Sequence, residues 1–294
     1  MKKMIWNLTK KIPLLGKKIN DYHLAKKFKI EIALLNNSLD LESITASVIH
    51  FSINKAATQH VKGLLRRIAV ENEMIPVSIN DYAFSSKIPY LDHLSFEQME
   101  EFKHVFKETG YLYSVFGGML ENVDNFNNYK IILSIRDPRD VLVSLYYSMA
   151  YSHVVPIESS NKRNEFLDKR SFALSSKIDE FVLNEVDKIF SIFDKYKNKL
   201  CRHDNVGIIK YENMIVDYSK WLMDLSNITG LSISDTLRRE LVDENLMKRP
   251  KNEDKLSHNR KGISGDYKEK LDDKTIEILN SKLEPILTYF AYEI

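Results

Sequence analysis

The stretch Lys130-Ile131-Ile132-Leu133-Ser134-Ile135-Arg136-Asp137-Pro138-Arg139-Asp140-Val141-Leu142-Val143-Ser144 decides the fold. Its first six residues form an almost unbroken apolar run, which predicts a parallel strand buried on both faces. Asp137-Pro138 then opens a helix, because a proline is tolerated in the first helical turn, where its missing N–H would be unpaired anyway. Val141, Leu142, Leu145 and Tyr146 point inward on that helix. Arg136 falls at the carboxyl end of the strand, the edge at which open α/β sheets bind ligands. Ser144 lies two turns into the helix. A guanidinium and a hydroxyl are thus placed to grip one phosphate from two sides. Arg139 and Asp140 read as a surface pair on the first helical turn.

Strands and helices alternate outward from this unit. Residues 47–54 alternate and are β-prone, which predicts a strand. Residues 58–73 carry Val61, Leu64, Leu65, Ile68 and Ala69 at helical spacing. A short strand is expected at 75–79, a helix at 95–107 and another strand at 111–116. Helices at 173–198 and 217–229 flank a strand at 206–211, and a last helix covers 273–290. Residues 245–270 read as a polar, lysine-rich loop. The expected class is α/β, a central parallel sheet with helices on both faces. Residues 46–294 read as one domain and residues 1–45 as a basic N-terminal helical segment.

Composition narrows the function. Of 294 residues, 44% are hydrophobic and 29% charged, enough to bury a core and unlike a disordered chain. No apolar run approaches the ~18 residues of a membrane-spanning helix, and no pattern of a cleaved signal peptide follows the N-terminus. The single cysteine, Cys201, excludes an intrachain disulfide and a zinc site built on several thiolates. A reducing, cytoplasmic compartment fits. Residues 1–30 hold nine lysines against one acid, Asp21, so the remainder is net acidic. Such a body does not suit a nucleic-acid binder. The basic segment, interleaved with Trp6 and aliphatic residues, suits peripheral contact with the anionic inner face of a membrane. It equally suits a solvated helix face.

Two further segments carry chemistry. Ser52-Ile53-Asn54-Lys55-Ala56-Ala57-Thr58-Gln59-His60 is a strand-to-helix turn with a lysine and a threonine at a helix N-terminus, where unpaired N–H groups and the helix dipole favour an anion. It is not a Walker A loop, since G-x-x-x-x-G-K-[ST] occurs nowhere in the chain. Near the C-terminus, His258-Asn259-Arg260-Lys261-Gly262-Ile263-Ser264-Gly265-Asp266-Tyr267-Lys268 sets two cations before a glycine that permits close backbone approach.

In this order the three segments resemble the sulfotransferases that use 3′-phosphoadenosine 5′-phosphosulfate (PAPS). Asn54 to His60 stands where that family has P-K-S-G-T-T-x. Arg136 to Ser144 matches R-[ND]-P-[KR]-D-x-x-x-S, and Arg260 to Lys268 matches R-K-G-x-x-G-D-[WY]-K. Lys210-Tyr211-Glu212-Asn213 fits a Y-E-[DN] element. The likeness covers residues 46–290. It implies a P-loop-like sulfotransferase fold and sulfonate transfer to a hydroxyl, leaving 3′-phosphoadenosine 5′-phosphate (PAP), with no metal. Lys55 would act on the 5′-phosphate and the bridging oxygen. Ala56, Ala57, Thr58, Gln59 and His60 would cradle the 5′ group. Arg136, Ser144, Arg260, Lys261 and Gly262 would hold the 3′-phosphate, and Tyr211 would lie near the adenine.

The departures are informative. Ala56-Ala57 replaces a Ser-Gly pair, and alanine resists positive φ, so the loop closes with ordinary angles or with strain. The K-T-H strand of the small-molecule branch corresponds to Tyr111–Phe116, which has no histidine. In the glycan-modifying branch a glutamate after the second strand serves as base, and Asp81 stands in that neighbourhood. Asp81 is therefore the first candidate for the base that deprotonates the acceptor, with His93 second. The likeness leans toward a carbohydrate or glycolipid acceptor. Tyr146, Tyr147, Tyr151 and His153 fit a sugar site and equally a core-facing helix. Loops 82–95, 119–128 and 151–172 would set specificity. A P-loop kinase or NTPase, and a non-catalytic nucleotide-binding module of the same fold, are the competing readings.

Overall fold

The computed structural model describes residues 22–155, 162–248, 252–257 and 260–294. Residues 1–21 of the basic segment lie outside them; residues 22–27 are helical and lead into α1, Lys29–Leu35.

Five strands form one sheet. They are β1 (Val48–Ser52), β2 (Ile75–Val77), β3 (Tyr111–Phe116), β4 (Lys130–Ile135) and β5 (Val206–Lys210), in the order β2-β3-β1-β4-β5. Every neighbouring pair is parallel. The order reverses direction beside β1, so β1 and β4 leave a crevice at their carboxyl ends, the usual ligand position in such sheets.

The near-continuous apolar strands follow from two covered faces. Ile49, Phe51, Ile131 and Leu133 pack on one side with α5 (Pro138–Tyr147), α7 (Ile178–Asn198) and α12 (Asp273–Tyr289). Val48, Leu112 and Ile132 point the other way, onto α2 (Thr58–Glu71) and α9 (Tyr218–Thr229), where Leu64, Leu65, Trp221 and Leu222 meet them. Burying one such aliphatic side chain contributes about 1.5–3 kcal/mol. A polar seam crosses the second face. His50 is fully buried, with Nδ1 at 3.0 Å from Ser114 Oγ and Nε2 at 2.8 Å from Ser134 Oγ. Burial lowers its pKa to about 3, so it is a neutral tie between three strands.

Some elements differ from the sequence reading. The expected helix at 95–107 is only α4 (Phe96–Met99) and a 3₁₀ turn, Lys103–Val105. The Tyr113 hydroxyl donates to the Val105 carbonyl at 2.8 Å and accepts the Lys107 amide at 2.7 Å, capturing backbone groups a continuing helix would need. Residue 79 begins α3 (Ile79–Ser85) rather than ending β2. The helix expected at 173–198 divides into α6 (Lys162–Ser175) and α7, so part of the 151–172 loop is helical. Tyr211 opens α8 (Tyr211–Val216), and α10 (Asp235–Lys248) overlaps the start of the expected loop 245–270. α11 (Tyr267–Lys270) closes the last motif.

Candidate active site

The β1–α2 turn is the first wall of the site. The Ser52 and Thr58 hydroxyls face each other at 2.9 Å and share the Ile53 carbonyl. This brace shapes the turn before α2 begins. Lys55 has φ 74° and Ala57 φ 56°, both left-handed. Of the two routes open to an alanine pair, the chain takes the strained one, at a cost of about 1–2 kcal/mol per residue. Ala57 caps α2 without a side-chain hydrogen bond, which leaves the first amides of the helix available to an anion.

The second wall is Arg136. It is buried, with its guanidinium 4.2 Å from the Tyr211 ring centroid. Nη1 donates to the Lys55 carbonyl at 3.3 Å; Nη2 donates to the Ile263 carbonyl at 3.0 Å and to Asp140 Oδ2 at 3.3 Å. One side chain thereby joins all three motifs. Its Nε–H is buried without a partner among the described residues, a donor left for an anionic ligand.

Arg139 and Asp140 are not a surface pair: they are 1% and 0% exposed. Arg139 donates to Asp137 from Nε at 3.0 Å and Nη2 at 2.7 Å, to Asn280 at 2.7 Å and to the Glu293 carbonyl at 2.6 Å. Asp140 accepts the Gly265 amide at 2.9 Å and the Tyr267 amide at 3.1 Å. The periodicity held the clue. Asp140 and Ser144 are spaced by four, which puts them on one face of α5, directly behind Arg136 at the strand end. Glu212 does similar work on the other side, accepting the Asp137 amide at 2.9 Å.

The closing segment is the third wall. Gly262 and Gly265 take φ 65° and 79°. Arg260 lies 4.1 Å from the Tyr147 ring centroid and pairs with Glu253 and Asp266. Lys261 pairs with Asp266 at 2.9 Å and Glu269 at 2.5 Å. Glu253 was not legible beforehand, because its contact is made by a loop with no periodic pattern.

These walls enclose a cavity of about 420 Å³, within the ~300–1,000 Å³ usual for small-molecule sites. Lys55, Ala57, Thr58, Gln59, His60, Arg136, Ser144, Tyr211, Arg260, Lys261 and Gly262 all line it. Ala56 is buried behind the loop. His60 is fixed by the Tyr218 hydroxyl at 3.0 Å. Asn245, Met149 and Ile263 line the cavity as well and were not singled out in the sequence. Burial first, then the Arg136 and Arg260 charges, lower the Lys55 pKa to about 8.

The two candidate bases lie elsewhere. Neither Asp81 nor His93 lines this cavity. Asp81 is in the first turn of α3 and pairs with Lys62 at 2.5 Å. His93 ends a 3₁₀ turn, Leu91–His93. Of the four aromatic candidates, His153 lines the cavity, whereas Tyr146 packs on Phe181 and Tyr147 carries Arg260.

Three walls that carry cations around one cavity, in this chain order, coincide with a family match: the sulfotransferase domain model covers residues 48–288. The chain belongs to the sulfotransferase family. No curated protein matches the sulfotransferase by sequence. Among solved structures, it is similar to the mouse sulfotransferase SULT7A1 complexed with PAP, at 17% identity over 88% of each chain with a TM-score of 0.48. It is similar also to a retinol dehydratase in complex with androsterone and the inactive cofactor PAP, at 18% identity over 82% of this chain and 80% of that one, TM-score 0.49. The sulfotransferase STF9 from Mycobacterium avium gives 10% identity over 92% and 82%, TM-score 0.46.

Proposed function

We infer that this sulfotransferase moves a sulfonate group from PAPS to a hydroxyl of a carbohydrate or glycolipid. The observation that carries the donor assignment is Arg136. Its guanidinium bonds the Lys55 and Ile263 carbonyls and keeps a buried, unpartnered Nε–H beside the cavity. Arg136, Ser144, Arg260, Lys261 and Gly262 would hold the 3′-phosphate, and the Lys55–His60 turn the 5′ group. Tyr211 would lie near the adenine.

PAPS supplies the activated sulfonate when bound. The chain's residues supply position and charge, which is what a loose group transfer needs. Lys55 stands among like charges, so it gains most when negative charge grows on the leaving oxygen. The acceptor class is supported by the edge of β3. The strand Tyr111–Phe116, which corresponds to the K-T-H strand of the small-molecule branch, has no histidine, and two buried oxygens without partners among the described residues, Asn80 Oδ1 and Asp92 Oδ1, lie near that edge.

The domain would run from 46 to 294, with residues 1–45 as an appended basic segment. Among the described residues no helix is long and apolar enough to cross a membrane. The lysine-rich segment would instead lie on an anionic surface at the cytoplasmic face, at up to ~1 kcal/mol per lysine.

Labelled PAPS offered with glycan and glycolipid panels tests the reading. Label transfer to a sugar hydroxyl is expected, and transfer to phenols and sterols alone would overturn the acceptor class. Sedimentation with anionic liposomes, with and without residues 1–30, tests the membrane contact. No difference at low salt would remove it.

A further inference from the structure

Arg260, one of the cations placed for the 3′-phosphate, already holds two carboxylates. Its Nη2 donates to Asp266 Oδ2 and its Nη1 to Glu253 Oε1, while the guanidinium lies 4.1 Å from the Tyr147 ring centroid. The neighbours extend the pairing. Lys261 donates to Asp266 Oδ1 at 2.9 Å and to Glu269 Oε2 at 2.5 Å, and Lys270 donates to Glu253 Oε2 at 2.9 Å. Three cations, Arg260, Lys261 and Lys270, thus meet three carboxylates, Glu253, Asp266 and Glu269. This network is neutral before any nucleotide arrives.

The two carboxylates on Arg260 are not alike. Asp266 is 1% exposed and uses both oxygens inside the closing segment. The amides on either side of it, Gly265 and Tyr267, are fixed by Asp140. Asp266 is therefore part of the frame. Glu253 comes from outside that frame, in the stretch 252–257, and 23% of its side chain is exposed. Backbone bonding keeps this stretch beside the motif without help from the carboxylate: the Asp254 amide donates to the Arg260 carbonyl at 2.9 Å. Because Glu253 also holds Lys270, losing Arg260 would leave its charge paired. Arg260 lines the cavity, and neither Glu253 nor Lys270 does. A carboxylate on Nη1 satisfies the guanidinium, but a phosphate on the same guanidinium would stand close to it, and the two anions repel.

Resting on the nucleotide reading above, we propose that Glu253 is an internal competitor of the 3′-phosphate. In the nucleotide-free protein it neutralises Arg260, so the empty site does not hold an uncompensated, largely buried guanidinium, which is a costly state. An arriving 3′-phosphate takes Nη1, and the Glu253 carboxylate stays with Lys270 alone. The exchange weakens the grip on any 3′-phosphorylated nucleotide and lets the product PAP leave. A nucleotide without a 3′-phosphate makes no demand on Arg260 and is indifferent to Glu253.

Glu253→Gln keeps the shape and removes the charge. Titration calorimetry is expected to show PAP bound ~10-fold more tightly by this variant than by the wild type, and adenosine 5′-phosphate within ~2-fold. Stopped-flow displacement should place the gain mainly in slower PAP dissociation. If Glu253 instead holds Arg260 in the orientation the phosphate needs, the variant binds PAP more weakly. That result, or an unchanged affinity, overturns the proposal. Lys270 gives an independent check. Lys270→Met deprives the displaced carboxylate of its second partner, so PAP should bind ~3- to 10-fold more weakly, and the same change in the Glu253→Gln background should have no effect. An equal loss in both backgrounds would mean that Lys270 meets the phosphate directly and would also overturn the exchange. Failure of PAP to stabilise the wild-type protein would refute the nucleotide reading itself, and the proposal with it.

Discussion

Asp140 Oδ2 accepts the Gly265 amide at 2.9 Å, across 125 positions of sequence. Through this bond and the one to Tyr267, a fully buried carboxyl fastens the closing segment to the helix that begins just after Arg136. Burial raises its pKa, while Arg136 and the two amides oppose the rise.

Removing this carboxyl leaves two amides and a guanidinium without their partner. Asp140→Ala should cost about 3–5 kcal/mol of stability and weaken PAP binding by loosening Arg260 and Lys261. Thermal unfolding with and without PAP checks both parts. Asp140→Asn, which keeps one acceptor, should lose less.

Arg136→Ala and Arg260→Ala should each weaken PAP binding by ~10- to 100-fold, the value of a charge-assisted contact of about 1.5–3 kcal/mol. Adenosine 5′-phosphate should lose less, since it lacks the 3′ group. Titration calorimetry with the two nucleotides decides this, and equal affinity for both would refute the placement of the 3′-phosphate.

Lys55→Ala should reduce turnover more than nucleotide affinity, by at least ~100-fold in the chemical step, because the lysine acts on charge that exists only as the bond breaks. Rapid-quench measurement of a single turnover, beside equilibrium binding, separates the two effects. Normal turnover with poor binding would make Lys55 a simple anchor.

The lowered pKa of Lys55, about 8, gives binding a pH signature. Phosphate anions restore the ammonium form, so PAP binding above about pH 8 should be accompanied by proton uptake. Affinity should fall as pH rises through that value, by up to ~10-fold per unit. For folding the sign is reversed. The native state disfavours the charged form, so this group's contribution to stability rises with pH from about 8 toward its ordinary value of 10.5. Calorimetry in buffers of different ionisation enthalpy measures the protons, and Lys55→Met should abolish the signal.

Ala57→Gly should stabilise the protein by about 0.5–1 kcal/mol, because relief of the left-handed φ of 56° exceeds the added chain entropy of glycine. Chemical denaturation gives the difference. A destabilised variant would mean that the Ala57 methyl contributes more to packing on α2 than its backbone costs.

The apolar run 130–135, the proline-opened helix behind it and the alternation of strands with amphipathic helices determined the fold, because a strand buried on both faces and a helix buried on one leave different periods in sequence. Segments 52–60, 136–144 and 260–268 likewise marked the walls of the cavity, since strand ends built to meet anions draw on few residue types. The positions of Asp140, Glu253 and Asp92 were decided only in three dimensions. Asp140 and Asp92 accept backbone amides of Gly265 and of Gly117–Gly118 from other segments, a contact that leaves no pattern in the sequence, and Glu253 meets the Arg260 guanidinium inside a loop without periodicity. The same holds for Asp81 and His93. Lys62, reaching from another helix, commits the Asp81 carboxylate, and the His93 imidazole is exposed.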